Sequence, residues 1–180
     1  MSILDKVIAS MTPPESEEAR AEARSKAREL AGRHPWLELV LQHHLAIEAA
    51  FGALKRESTA QGRRLAEKTL AGLLTGHSLA EEGVLYPAMA HSTQKAHATS
   101  AYTQQSGAKI NLAALEVLDP MTQDYLDKVE HVEGAVAHHM YEEEGTWFPT
   151  LCEDADLQTH ERLTRRYAEE YARYMGRAFA

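Results

Sequence analysis

Histidine followed four residues later by glutamate is the arrangement in this chain that could do chemistry. With 10 histidines and 21 glutamates in 180 residues, chance gives about one such pair. Five occur: His34/Glu38, His44/Glu48, His77/Glu81, His138/Glu142 and His139/Glu143. On a helix, positions four apart lie one above the other, so each pair aims an imidazole nitrogen and a carboxylate oxygen the same way. A single pair of this kind reads most simply as a solvated helix surface. Several pairs aimed at one buried point need another account.

Two of the pairs lie in copies of one longer pattern. HSLAEEGVLYP runs from His77 to Pro87, and HMYEEEGTWFP from His139 to Pro149. They agree at His, at the Glu four and five residues on, at Gly, at the aromatic and at Pro. His77 follows Leu70, Leu73 and Leu74 and precedes Ala80, Val84 and Leu85, so it sits in an apolar stripe. His139 follows Val132, Ala135 and Val136, and His44 lies between Leu37, Val40, Leu41 and Ile47, Phe51. These three histidines are expected to face a core, each bringing a carboxylate: Glu48, Glu81 and Glu143. A buried carboxylate without a partner is costly. Few Lys or Arg fall on those stripes, so a metal cation is the expected partner. His34, His91, His131 and His160 read as surface or capping residues, and His97 falls in a loop.

The elements that must position these groups are helical. No window alternates with period two, while helical spacing recurs along most of the chain. A short amphipathic start (Ile3, Leu4, Val7, Ile8) ends at Thr12-Pro13-Pro14. Ser16 precedes a charged, Ala-rich helix, mostly solvated, that ends near Gly32. Pro35 opens a helix over about 35–57, and others follow over about 59–87, 98–118 and 121–149, with a final one over about 156–178. Pro87 and Pro149 are expected to close the second and fourth, and 88–101 to be a loop. The expected fold is all-α, an up-down four-helix bundle over 35–152. An N-terminal helical extension (1–34) and a C-terminal helix (153–180) are added to it. Leu163, Tyr167, Tyr171 and Tyr174 line one side of that last helix, to cover the bundle or to form a dimer.

Composition narrows the function. A net charge of −8 without a basic patch argues against a nucleic-acid surface. No apolar run reaches the ~20 residues of a membrane span, and the start lacks a signal-peptide core. One cysteine, Cys152, cannot form an internal disulfide, which fits a reducing cytoplasm. Imidazole and carboxylate donors without cysteine pairs suit iron or manganese better than a structural zinc site. Glutamates at matching depth on two helices can bridge two metals roughly 3.5–4 Å apart.

With these residues the chain resembles the hemerythrin-like, HHE cation-binding family over about 35–150. HSLAEEGVLYP and HHMYEEEGTWFP are similar to its second- and fourth-helix motifs, and His44 in QHHLAIEAAF to its first-helix histidine. The resemblance implies two iron ions joined by an oxo or hydroxo bridge. It implies His44, His77, Glu81, His139 and Glu143 as ligands, with Glu81 and Glu143 bridging and Glu48 weaker. His43 and His138 lie about 100° off the apolar stripes and rank second, although the spacing in oxygen-carrying hemerythrins favours His138. The third helix departs from the family: Gln105 stands where a ligand histidine is expected, with Lys109 one turn later and Tyr102 one turn earlier. Gln105 would orient a ligand or donate its amide oxygen. Tyr102 would be a phenolate ligand, a hydrogen-bond donor to one, or a packing residue.

A centre richer in oxygen donors implies an iron protein that senses, scavenges or turns over O2, H2O2 or NO rather than an oxygen store. Tyr86, Trp147 and Phe148 would wall it from bulk water. The alternative is a non-catalytic iron-binding or iron-sensing module, monomeric or dimeric. A ferritin-like site is disfavoured, because no histidine has a glutamate three residues before it.

Overall fold

Every element in this computed structural model, which describes residues 15–178, is a helix. The expected amphipathic start around Ile3 to Ile8 lies outside the described residues. Helix α1 spans Glu17–Ala31, with Ser16 accepting a hydrogen bond from the Ala19 amide at its N-cap. Helix α2, Pro35–Arg56, starts with Pro35, whose missing N–H would have had no partner there. Helix α3, Ala60–Ala80, is capped by Thr59. After it come a π turn over Glu81–Leu85 and a short helix α4, Tyr86–His91. Helix α5, Lys95–Ala113, is followed by one 3₁₀ turn, Ala114–Val117. Helix α6, Gln123–Glu142, passes through a second π turn, Glu143–Trp147, into α7, Phe148–Asp154. Helix α8 covers Leu157–Ala178.

Pro87 and Pro149 do not end their helices as expected. A proline inside an α-helix lacks a donor and crowds the carbonyl four residues back. Here each proline follows a wider turn in which Tyr86 N–H bonds Glu81 O and Phe148 N–H bonds Glu143 O, five residues back. This five-back bonding replaces the four-back pattern just before each proline, and the chain continues as helix. The expected loop over 88–101 shrinks accordingly, with helix ending at His91 and resuming at Lys95.

Helices α2, α3, α5, α6 and α8 pack together as a helical bundle, with α1 laid on α2 and the second π turn. Two apolar clusters fill it. One gathers Trp36, Leu41, Tyr86, Phe148 and Tyr167, and the other Ile47, Phe51, Leu74, Tyr125 and Val132. On four of these helices a buried polar position falls between the two: His44 on α2, His77 on α3, Gln105 on α5 and His139 on α6. A polar layer thus lies sandwiched between apolar ends, where water is excluded.

Helix α1 keeps most of its residues toward solvent, as its composition suggested, but one narrow stripe of it is covered. Ala23, Ala27 and Ala31, four residues apart, are buried. Small side chains let α1 come close: a Cβ on Gly145 would lie 3.3 Å from that of Ala23. Arg24 is thereby carried to the second π turn.

Candidate metal centre

Helices α2 and α3 and the two π turns converge on one buried point. One donor atom from each of His44, His77, Glu81 and Glu143 lies within 4.8 Å of all the others. Glu81, Glu143 and His44 are 0% exposed and His77 2%. His44 Nε2 approaches Glu143 Oε2 at 3.3 Å, and His77 Nε2 approaches Glu81 Oε2 at 3.2 Å. Yet His44 Nε2, His77 Nε2, Glu81 Oε1 and Glu143 Oε2 have no hydrogen-bond partner. Orphaned buried polar atoms are rare and costly. Two imidazole nitrogens and two carboxylate oxygens left open in one place fit a cation, which would displace any proton from His44 Nε2, and this donor set suits iron or manganese.

His139 meets the group from its other side. Its Nε2 lies 3.2 Å from Glu143 Oε1, and Tyr86 Oη stands 3.1 Å from the same nitrogen. The Tyr86 hydroxyl also reaches Glu81 Oε2 and Glu143 Oε1, each at 3.0 Å. The two oxygens of Glu143 therefore face different donors: Oε2 toward His44, Oε1 toward His139 and Tyr86. Gln105, buried on α5, donates to Glu81 Oε2 and leaves its own amide oxygen without a partner.

The charges respond to this crowding. Burial raises the Glu81 carboxyl well above its ordinary range, and the neighbouring Glu143 charge adds to that. Glu143 shifts the opposite way: burial opposes its charge, but His139 and His44 outweigh burial and hold it ionised. His44 is pushed up to about 10, because Glu143 and Glu144 together overcome its burial. Burial and then the His44 charge drive His77 well down. Burial and the two carboxylates lift the Tyr86 phenol well above 10.0, so it stays protonated and donates.

Several expected ligands lie elsewhere. Glu48 is 46% exposed at its side chain and pairs with Arg24 at 2.8 Å. Ile47 continues the buried stripe after His44, which leaves Glu48 turned out beneath α1. His138 is also turned outward, at 41% exposure, with Glu15 and Glu142 as its neighbours. His43 stacks on Tyr171, with ring centroids 3.7 Å apart, and bonds Tyr167 rather than the cluster. Tyr102 is 38% exposed and donates to the Glu82 backbone oxygen. Lys109 pairs with Glu82. Phe148 packs edge-on against Trp36, while Trp147 sits edge-on to His139. His97 stacks on Trp147. His160, expected at the surface, is buried and accepts from Trp36 Nε1 at 3.0 Å.

Other residues were not foreseen. Glu144, 2% exposed, accepts from His44 Nδ1 at 2.7 Å and is held by Arg24 through both its oxygens. Tyr167 of α8 reaches His77 Nδ1 at 3.2 Å, and Gln104 receives His139 Nδ1 at 2.8 Å. The Ala stripe of α1 and the tyrosine row of α8 were the available signals, but neither says which partner it meets. Glu67 serves as a contrast. It is buried as well, but Arg64 and the Tyr125 hydroxyl occupy it, and it leaves no orphan oxygen.

Over 98 residues the chain is 31% identical to a protein described as a DNA nickase from Nostoc sp. (strain PCC 7120 / SAG 25.82 / UTEX 2576). The match takes in 54% of this chain and 27% of that protein, so the chain spans far less than its relative's length. No solved structure matches. The model of the family described as hemerythrin HHE cation binding domain matches residues 37–151, the segment that carries the four converging donors. The chain belongs to the hemerythrin HHE cation-binding family.

Proposed function

We propose that this chain is a non-haem di-iron protein that binds or reacts with O2, H2O2 or NO. In this reading residues 35–152 form an up-down four-helix unit of the hemerythrin type, with 1–34 and 153–180 as additions. The observation that carries it is the set of open atoms: His44 Nε2, His77 Nε2, Glu81 Oε1 and Glu143 Oε2, buried and unpartnered together. His44 and His77 would hold one ion with oxygens of Glu81 and Glu143. His139 and Glu143 would help hold the other, with Tyr86 beside them. Two irons supply paired one-electron valence changes, enough to reduce a diatomic molecule or peroxide by two electrons.

The chain's own residues set the conditions. Two carboxylates offset cationic charge in a layer closed at both ends by apolar side chains, where electrostatic interactions are strong. Tyr86 keeps a proton on Oη, poised 3.0 Å from Glu81 and Glu143, and can donate a hydrogen bond to any small anion bound there. Gln105, with its amide fixed on Glu81, stands where oxygen carriers use an imidazole, which favours turnover or sensing over storage. The strand-cutting activity in the Nostoc relative's description is not carried over, because the net charge of −8 opposes DNA binding.

The test is iron analysis with an optical spectrum of the loaded protein, followed by mixing the reduced form with O2, H2O2 and NO. Two irons per chain and a spectral response to at least one of the three is the expected result. Zinc alone, or no metal, would overturn the reading. Iron that raises thermal stability but answers none of the three would favour the non-catalytic iron-sensing module.

A further inference from the structure

The three imidazoles of the centre all present Nε2 inward and Nδ1 outward. Each Nδ1 meets a different group: the Glu144 carboxylate for His44, the Tyr167 phenol for His77 and the Gln104 amide oxygen for His139. Two of these arrangements depend on helices outside the matched segment 37–151. Arg24 of α1 grips Glu144, and Tyr167 belongs to α8.

We propose that Arg24 and Tyr167 are positioning residues of the cation centre, holding His44 and His77 in the tautomer that leaves a lone pair on Nε2. The inference rests on the cation-binding reading above.

A neutral imidazole carries one proton. The nitrogen that faces a cation must be bare, so the proton belongs on the other nitrogen and needs an acceptor. For His44 that acceptor is Glu144, an ionised carboxylate that only accepts. Arg24 fixes how Glu144 turns. Its Nε lies 3.0 Å from Oε2 and 3.1 Å from Oε1, its Nη2 2.9 Å from Oε1, and Glu48 steadies the guanidinium from behind at 2.8 Å. A planar five-donor fork can span two carboxylates in this way; an ammonium group cannot hold both in the same plane.

For His77 one phenol proton decides the tautomer. Tyr167 Oη lies between two imidazole nitrogens, His77 Nδ1 at 3.2 Å and His43 Nδ1 at 2.9 Å. With a single proton it donates to one and accepts from the other. With His77 Nε2 open toward the cluster, His77 Nδ1–H donates to Tyr167, and Tyr167 O–H donates to His43 Nδ1. The reverse direction would put a proton on His77 Nε2, against the cation. The His43 ring is fixed for its part by stacking between Tyr167 and Tyr171, with centroids at 5.5 and 3.7 Å. The tyrosine row of α8 therefore ends in the centre.

The test titrates the full chain with Co²⁺, following the visible ligand-field bands and the affinity in competition with a chelator. The thermal midpoint of the metal-free protein serves as a control. Tyr167→Phe keeps the ring and removes only the hydroxyl, so the fold is retained. It should weaken Co²⁺ binding by about 10–100-fold and shift the bands, the usual consequence of losing an outer partner of a ligand histidine. Arg24→Met should do the same, and Arg24→Lys should recover part of the loss. Tyr171→Phe, whose hydroxyl is outside the relay, should match wild type. Wild-type affinity and bands in Tyr167→Phe and Arg24→Met would overturn the proposal. So would a loss in Tyr171→Phe as large as that in Tyr167→Phe. A wild-type protein that takes up no Co²⁺ would overturn the cation reading itself, and this inference with it.

Discussion

The two copies of the motif, His77–Pro87 and His139–Pro149, fold alike and are used differently. Each places a histidine and the glutamate four residues on at the buried centre. Each widens into a π turn at that glutamate, and each carries its proline into a following helix. Beyond this shared frame the copies part. The second glutamate of the first copy, Glu82, pairs with Lys109 at the rim, while its counterpart Glu144 is buried between His44 and Arg24. The aromatic of the first copy, Tyr86, puts its hydroxyl among the carboxylates; its counterpart Phe148 packs on Trp36. The neighbours make the difference: α5 lies against the first copy, α1 against the second. A repeated motif sets the backbone and the inward carboxylate. The helix laid across it decides what the remaining side chains do.

If the shared frame is what binds the cation, then Glu81→Ala and Glu143→Ala should be equivalent and severe, each abolishing uptake of a metal pair by stoichiometric titration. Retention of two ions in either variant would break the symmetry argument. The second glutamates should separate the copies. Glu144→Ala is expected to weaken binding by about 10–100-fold through His44. Glu82→Ala should leave affinity near wild type and cost only about 0–1 kcal/mol of stability, the range of a rim ion pair. Equal effects of the two would remove the asymmetry. The aromatics differ in a hydroxyl alone. Tyr86→Phe makes the first copy resemble the second, and should lower metal-free stability by about 0.5–1.5 kcal/mol for the lost hydroxyl bonds. Denaturant titration of the metal-free protein measures this.

Much of the frame was legible in the sequence. Helical spacing with His44, His77 and His139 in apolar stripes identified the inward faces, because a 3.6-residue period leaves few other ways to bury Leu70, Leu74, Val132 and Val136 together. The path through Pro87 and Pro149 was not legible, since proline normally ends a helix and a π turn leaves no periodic trace in so few residues. Glu48 misled because four-residue spacing puts it near His44 in projection, while Ile47 takes the buried place. Arg24 and Tyr167 were hidden for another reason. Their roles depend on where α1 and α8 dock, and docking is a long-range property that local pattern does not encode.

The most direct test of the central claim is anomalous scattering at the iron edge from crystals of the iron-loaded chain. Two peaks are expected, one between His44, His77 and the carboxylates of Glu81 and Glu143, the other on the His139 and Tyr86 side of Glu143. A peak beside His138, Glu15 and Glu142 instead, or none within reach of Glu143, would contradict it.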